Sequence, residues 1–495
     1  MARGDVAHAA GAERGALRVA LAAVVVLALA AGGVATWRYD LLDRWLDYDD
    51  LPAATAPLGE PASIAPPSGL DLPPVTAPEP VAEESSDDDR VDRAAVRRAL
   101  AGYLSDADLG RHVLAEAAPL MGAVTSFTQG EGVAIPASTT KLVTTTAALL
   151  ALGPDHVFTT TVVAEGARRN RRLVLVGGGD PFLERAPETP DGDAWPYPVR
   201  ADLDTLATQA AKALREDGVR RVTLGYDDSL FSGPAVNPTW EPGYIPDGDV
   251  SPTSALWVDE GRPLSRLGRV ADPASEAAEA FVDALGRAGI KVSEPPVPVT
   301  ASVEARTVAD IESAPLGQIV ERILDVSDNE ASEVLLRHIG LAGDDEGSIE
   351  AGRHGVRRLL DAAGVRLGES TFYDGSGLSR DNRADPSLLI DVLQLAASDE
   401  HPDLRPVIAG LPVAGFTGSL TDRMEKGPAA GRGRVRAKTG TLTAVSTLAG
   451  LATDLDGTVM VFVLMADRVG LPDTLDARDA LDSAAAALGA CRCSG

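Results

Sequence analysis

The sequence predicts a mixed α/β chain of more than one domain. Helical periodicity and β-branched runs alternate along it. Near the C-terminus, Leu442–Ala452 and Thr458–Ala466 have the spacing of an antiparallel hairpin, with Asp454, Asp456 and Gly457 between them. The 495 residues, 45% of them hydrophobic, are enough for two or three sizeable cores.

Residues 1–37 read as a cytoplasmic tail followed by a membrane anchor or signal segment. Arg3, Arg14 and Arg18 precede Val19–Ala35, seventeen residues without a charge, and Asp40, Asp43, Asp47, Asp49 and Asp50 follow. Basic before and acidic after orients the N-terminus inside and the remainder outside. The run is long for a signal-peptide core and short for a spanning helix of ~20 residues. The reading favours an uncleaved anchor, with secretion as the outcome if the segment is cleaved. Residues 38–90 read as a disordered stalk rich in proline, alanine and aspartate, unable to bury enough apolar area to order itself.

The body starts near Val91 with a helix in VDRAAVRRALAGYL, then short strands near His112–Glu116 and Ala123–Phe127. Pro136 can introduce a helix, and from Ser138 to Leu152 neither Gly nor Pro interrupts. Strands are expected around Phe158–Ala164, Leu173–Val176 and Arg221–Gly225, and helices around Leu203–Leu214 and Glu276–Ala288. GGGDPFL, Gly177–Leu183, breaks the pattern. Further helices are expected at Leu316–Val326, Glu330–Ile339, Ile349–Ala363, Pro386–Ala397 and Pro472–Leu488.

A net charge of −28 argues against a nucleic-acid binder, which needs a basic face. The six histidines are scattered without HExxH or CxxC spacing, so neither a metal site nor a metal cofactor is expected. Cys491 and Cys493 are too few for a disulfide framework and too close together for a relaxed bond, and read as incidental.

Only five of the 45 basic residues are lysine. A chain that defaults to arginine has a chemical reason to write lysine where an amine must lose its proton. Lys141 follows Ser138 by three residues, so the two share one side of the expected helix. A serine hydroxyl is a weak nucleophile until a neighbour takes its proton. A neutral Lys141 could do so, given a pKa shift of ~3 units, or roughly 4 kcal/mol. Burial or a second cation would supply it. Ser327-Asp328-Asn329 falls between two expected helices, where a hydroxyl and an amide can point the same way. Alone it reads as an ordinary helix cap. Lys438-Thr439-Gly440 ends an expected strand, where a cation and a hydroxyl can bind a carboxylate and Gly440 lets a substrate backbone approach. Alone it reads as a solvated strand end.

Together, IPASTTK (Ile135–Lys141), SDN (Ser327–Asn329) and AKTGTL (Ala437–Leu442) resemble the motif set of penicillin-binding proteins and class A β-lactamases. The 189 residues from Ser138 to Ser327, with GGGDP inside, resemble the class C low-molecular-mass penicillin-binding proteins, the D-alanyl-D-alanine carboxypeptidase/endopeptidase family. YDGSGLSRDN (Tyr373–Asn382) and LPVAGFTGSL (Leu411–Leu420) support it.

The resemblance implies a penicillin-recognising serine-peptidase domain, an antiparallel sheet flanked by helices, built from 91–157 and 298–495. A domain at 158–297 is inserted after the serine helix. It also implies roles. Ser138 is the acyl-forming nucleophile and Lys141 its base. Ser327 relays a proton to the leaving amine, and Asn329 binds the substrate amide. Lys438 lowers the Lys141 pKa and attracts the terminal carboxylate, which Thr439 binds. The N–H groups of Ser138 and Thr441 form the oxyanion hole beside Gly440. The implied partners are peptidoglycan peptides ending in D-Ala-D-Ala and β-lactams as inhibitors, in the cell envelope. Carboxypeptidase action is the leading reading. A DD-endopeptidase, a β-lactamase and a non-catalytic scaffold are the alternatives. No Glu-x-x-x-Asn stands where a β-lactamase would need it, and no GxSxG elbow exists, since Asp374 stands two residues before Ser376.

Overall fold

The computed structural model describes residues 91–494, except 123–124, 168–170, 189–196 and 266. The apolar run Val19–Ala35 and the stalk lie outside the described residues. Among the described residues, no helix is long and apolar enough to cross a membrane.

A first sheet has strand order β2-β1-β11-β10-β9. Its strands are β1 (Val113–Pro119), β2 (Phe127–Gln129), β9 (Val435–Leu442), β10 (Val445–Thr453) and β11 (Val459–Ala466), paired antiparallel throughout. β11 is apolar at every position because both its faces are covered. Successive side chains alternate between faces. Val461, Val463 and Met465 enter one core, and Met460, Phe462 and Leu464 enter another. Helices α1 (Arg93–Leu104) and α9 (Thr474–Ala490) cover the second face.

The first face packs on α2 (Thr140–Leu152), α5 (Leu316–Val326) and α8 (Pro386–Ala397), with α6 (Asn329–Asp344) and α7 (Ile349–Ala362) behind them. α2 is buried on all sides, from Thr140 to Leu149. Truncating one of its core leucines to alanine would cost about 2–5 kcal/mol.

A second sheet is built from β3 (Thr159–Glu165), β4 (Arg172–Val176), β5 (Arg221–Asp227), β6 (Lys291–Val292), β7 (Val297–Pro298) and β8 (Arg306–Glu312). Its order is β6-β5-β4-β3-β8, with β7 beside β5. β3 runs antiparallel to β4 and β8, while β4, β6 and β7 run parallel to β5 or pair with it in parallel. Helices α3 (Leu203–Glu216) and α4 (Pro273–Arg287) share a core with this sheet, through Leu206, Ala210, Leu214, Ala277, Phe281 and Leu285.

Two expectations need correction. The run Leu442–Ala452 is not one strand. The chain turns at Thr443–Ala444, with Ala444 at φ 64°, between β9 and β10. Threonine and valine continue through this turn, so nothing in the composition marks it. Cys491 and Cys493 are joined by a disulfide, their Cα atoms 5.4 Å apart.

Candidate active site

The sheet and the helical layer meet around Ser138. A 3₁₀ turn, Ala137–Thr139, precedes α2, so Ser138 sits just before the α-helix rather than within it. Ala137 is held at φ 47°. Such backbone persists only where the surroundings over-determine it. Here the Pro136 carbonyl accepts from Thr139 Oγ1 and Thr447 Oγ1, each at 2.7 Å, which ties the turn to β10.

Lys141, one turn on, is fully buried. Its Nζ lies 3.1 Å from Ser138 Oγ, 2.8 Å from Asn329 Oδ1 and 2.6 Å from the Ser376 carbonyl. Burial lowers its pKa to about 8, against the pull of Asp374, Asp328, Glu333 and Glu330, whose carboxylates favour the ammonium form.

The SDN stretch is the connection between α5 and α6. Ser327 closes α5 in the left-handed region, φ 65°. Asp328 caps α6 and accepts from Ala331 N at 2.9 Å. Asn329 opens that helix, and its amide is already engaged. Oδ1 accepts from Lys141, while Nδ2 donates to the Asp249 carbonyl at 2.8 Å. The stretch is thus a helix cap at Asp328, and the next residue, Asn329, reaches the Lys141 amine.

Lys438, Thr439, Gly440 and Thr441 lie on β9, the edge strand of the first sheet. Lys438 is fully buried and donates to the Thr439 carbonyl at 2.9 Å. Its pKa falls well below the ordinary lysine value, first through burial, then through the charges of Lys141 and Arg423, with Asp325 opposing. Thr439 Oγ1 donates to Ser419 Oγ at 3.1 Å, and Thr441 is exposed.

Gly440 answers to the protein's own backbone. A Cβ there would stand 2.1 Å from Thr447 Oγ1, 2.8 Å from the Pro136 carbonyl and 3.1 Å from Ser138 N. The strand lies directly on the serine turn. This close approach is intramolecular, whereas the sequence suggested a substrate.

Three buried carboxylates, Glu260, Asp328 and Glu330, bring oxygen atoms within 4.8 Å of one another. Arginines already partner two of them, Glu260 and Glu330. Arg269 donates to Glu330 at 2.7 and 2.9 Å, and Arg262 and Arg200 lie against Glu260. Burial raises the Glu260 pKa to about 8. The cluster is an ion-pair network that braces the SDN turn against the segment 260–269.

Sequence reasoning missed the carbonyls of Ser376 and Asp249, since a backbone oxygen leaves no signature in residue type. It also passed over Asp374. That buried carboxylate accepts from Trp240 Nε1 (2.9 Å), Gly377 N (3.0 Å), Ser379 N (2.6 Å) and Asn382 Nδ2 (2.7 Å), which fixes the loop 374–382. The glycine-rich, acidic composition of YDGSGLSRDN was the available signal.

This arrangement can deprotonate a hydroxyl with an amine held beside it. The known proteins similar to this chain include peptidases. The model of the D-Ala-D-Ala carboxypeptidase 3 (S13) family matches residues 96–269 and 262–488. A carboxypeptidase of Mycobacterium tuberculosis is 35% identical over 420 residues, covering 81% of this chain and 85% of that relative. Carboxypeptidase DacB of Mycolicibacterium smegmatis is 33% identical over 492 residues, 97% of each chain. The crystal structure of penicillin binding protein 4 from Haemophilus influenzae shares the fold. It has a TM-score of 0.62 at 20% identity, covering 79% of this chain and 98% of that one.

Proposed function

The chain belongs to the D-Ala-D-Ala carboxypeptidase 3 (S13) family, and on that premise we propose that its chemistry runs through an acyl-enzyme on Ser138. It is a serine-type D-Ala-D-Ala carboxypeptidase of peptidoglycan peptides, and it binds penicillin.

The observation that carries the Ser138 assignment is the amine of Lys141, buried, with its pKa lowered to about 8, and 3.1 Å from the Ser138 hydroxyl. A neutral amine has two N–H groups and one lone pair. Asn329 Oδ1 and the Ser376 carbonyl can only accept, so they take the two N–H groups. The lone pair is left for the Ser138 proton. Ser138 Oγ then attacks the carbonyl of the penultimate D-alanine, and Lys141 holds the proton. Ser327 passes a proton to the departing D-alanine amine, and water releases the acyl group. The N–H groups of Ser138 and Thr441 receive the developing oxyanion, a contact whose loss typically lowers the rate ~10²–10³-fold.

Lys438 and Thr439 receive the terminal carboxylate. Lys438 is short of anionic neighbours in the free protein, and the arriving carboxylate supplies the charge that favours its ammonium form. Asn329 serves the base as well as the substrate amide, because its Oδ1 already holds Lys141.

Residues 158–297 act as an inserted domain within a catalytic domain of 91–157 and 298–495. Residues 1–37 anchor the chain to the cytoplasmic membrane, with the body outside at the end of the stalk. The order of basic, apolar and acidic residues supports this. Cell fractionation reads it directly: recovery of the full chain in the soluble fraction only would refute the anchor. The β-lactamase and scaffold readings gain no support from the family match.

The test of function is D-alanine release from a pentapeptide ending in D-Ala-D-Ala. Wild type releases D-alanine, and Ser138→Ala does not. Undiminished release by Ser138→Ala would refute the assignment.

A further inference from the structure

Lys141 has two oxygen acceptors, and one of them is a backbone carbonyl in a loop. A loop carbonyl aims an amine only if its peptide group is held. The Gly375–Ser376 amides are held by a side chain that the mechanism above does not use. Glu333 Oε1 accepts from Gly375 N at 3.0 Å and from Ser376 N at 2.8 Å.

Glu333 is 3% exposed, on α6. It follows Asn329 by four residues, so both project from one face of that helix. One of them holds the Lys141 amine directly. The other holds the peptide whose next carbonyl, Ser376 O, takes the remaining N–H at 2.6 Å. The rest of the loop is fixed around it. Thr144 Oγ1 on α2 donates to the Gly375 carbonyl at 2.8 Å. Gly377 is pressed so closely on the serine turn that a Cβ would lie 1.9 Å from the Ala137 carbonyl.

We propose that Glu333 is a positioning residue for the base: it holds the 375–376 amides so that the Ser376 carbonyl takes one N–H of Lys141 and leaves the lone pair facing Ser138. The inference rests on Lys141 being the base. Glu333 acts through Ser376 and does not touch the reacting atoms.

The charged groups facing Glu333 are Asp374 from the loop, Arg337 one turn along α6, and Lys141 from α2. Burial, then Asp374, raises the Glu333 pKa to about 8. When ionised, its carboxylate favours the ammonium form of Lys141. Below that pKa Glu333 is mostly protonated, so a glutamine in its place leaves the acid limb set by Lys141 where it is, and rescue of the rate by glutamine is the readout that separates positioning from a general loss of structure.

The experiment measures the second-order rate of acylation by benzylpenicillin as a function of pH for wild type, Glu333→Ala and Glu333→Gln, with melting temperature recorded for each. A base displaced by roughly an ångström loses about 10²-fold in rate, the loss expected for Glu333→Ala. Glutamine keeps the Oε1 acceptor, so Glu333→Gln should recover at least about tenfold of that loss. Should the alanine variant fail to fold, the glutamine variant decides alone: a rate of at least about a tenth of wild type supports the proposal. Wild-type rates in Glu333→Ala, or no recovery in a normally melting Glu333→Gln, would each overturn it. Failure of wild type to be acylated at all would instead remove the acyl-enzyme reading on which the inference rests.

Discussion

At the scale of the residue, the chemistry turns on one amine. Lys141 is among five lysines in a chain dominated by arginine, and that scarcity made it visible in the sequence. Burial brings its pKa to about 8, so the neutral fraction falls about tenfold for each pH unit below that value. The active form is the deprotonated one. Acylation of Ser138 should therefore climb as pH rises from 6 through 8 and level off above, at pH values where the substrate is stable. A rate flat across that range would contradict the assignment. Arginine at this position stays charged at any working pH. Lys141→Arg is expected to lower acylation at least ~10³-fold, and to lower the melting temperature as well because it buries a fixed charge on a larger side chain, as read by penicillin labelling of the folded variant beside a thermal melt. What the sequence could not show was how the amine is aimed. Two oxygen acceptors do it, and the Ser376 carbonyl belongs to a residue dismissed for lacking a GxSxG context.

At the scale of the element, β9 and the turn before α2 act as one piece. The glycine in Lys438-Thr439-Gly440 was visible as a place of close approach, but its neighbour was not. The structure puts the Pro136 carbonyl and Thr447 Oγ1 there. Gly440→Ala should push the strand off the serine turn, lowering acylation about 10²-fold. The same change should lower thermal stability, checked by paired labelling and melting curves. Unchanged values in both would mean the strand tolerates a methyl group there. The long helices were legible because their apolar faces repeat with helical period, as at Leu316–Val326 and Pro386–Ala397, where structure and expectation coincide. The turn at Thr443–Ala444 and the two-residue strands β6 and β7 were not. β6 and β7 are fixed by pairing with the distant β5, and the turn by the β9–β10 hairpin, whose residues carry no turn signal.

At the scale of the whole molecule, the first sheet lies between two helical layers, and the ends of the body meet beside it. Val91 bridges to Ser494, and Asp92 N donates to the Cys493 carbonyl at 2.7 Å. The buried Asp454 clamps this junction. Its carboxylate accepts from the amides of Asp456 and Thr458, each at 2.9 Å, and of Cys493 at 2.8 Å and Ser494 at 3.1 Å. Asp454→Ala leaves those amides without their acceptor and should cost about 3 kcal/mol of stability, read from the denaturation midpoint. An unmoved midpoint would show that water replaces the carboxylate. The sequence offered Asp454 only as a turn residue, because two of its four partners sit some forty positions away. The second sheet lies between the Ser138 and Ser327 motifs in sequence, and the segment between its strands β5 and β6 supplies the Asp249 carbonyl to Asn329 and Arg269 to Glu330. Such bracing was invisible to a reading that treated the insert as separate. The most direct test of the account is to incubate residues 91–495 with benzylpenicillin and locate the adduct by mass spectrometry of the digested protein. The prediction is one penicilloyl group per chain, on the peptide containing Ser138, and none in Ser138→Ala. An unlabelled wild type, or a label that persists in Ser138→Ala, would contradict it.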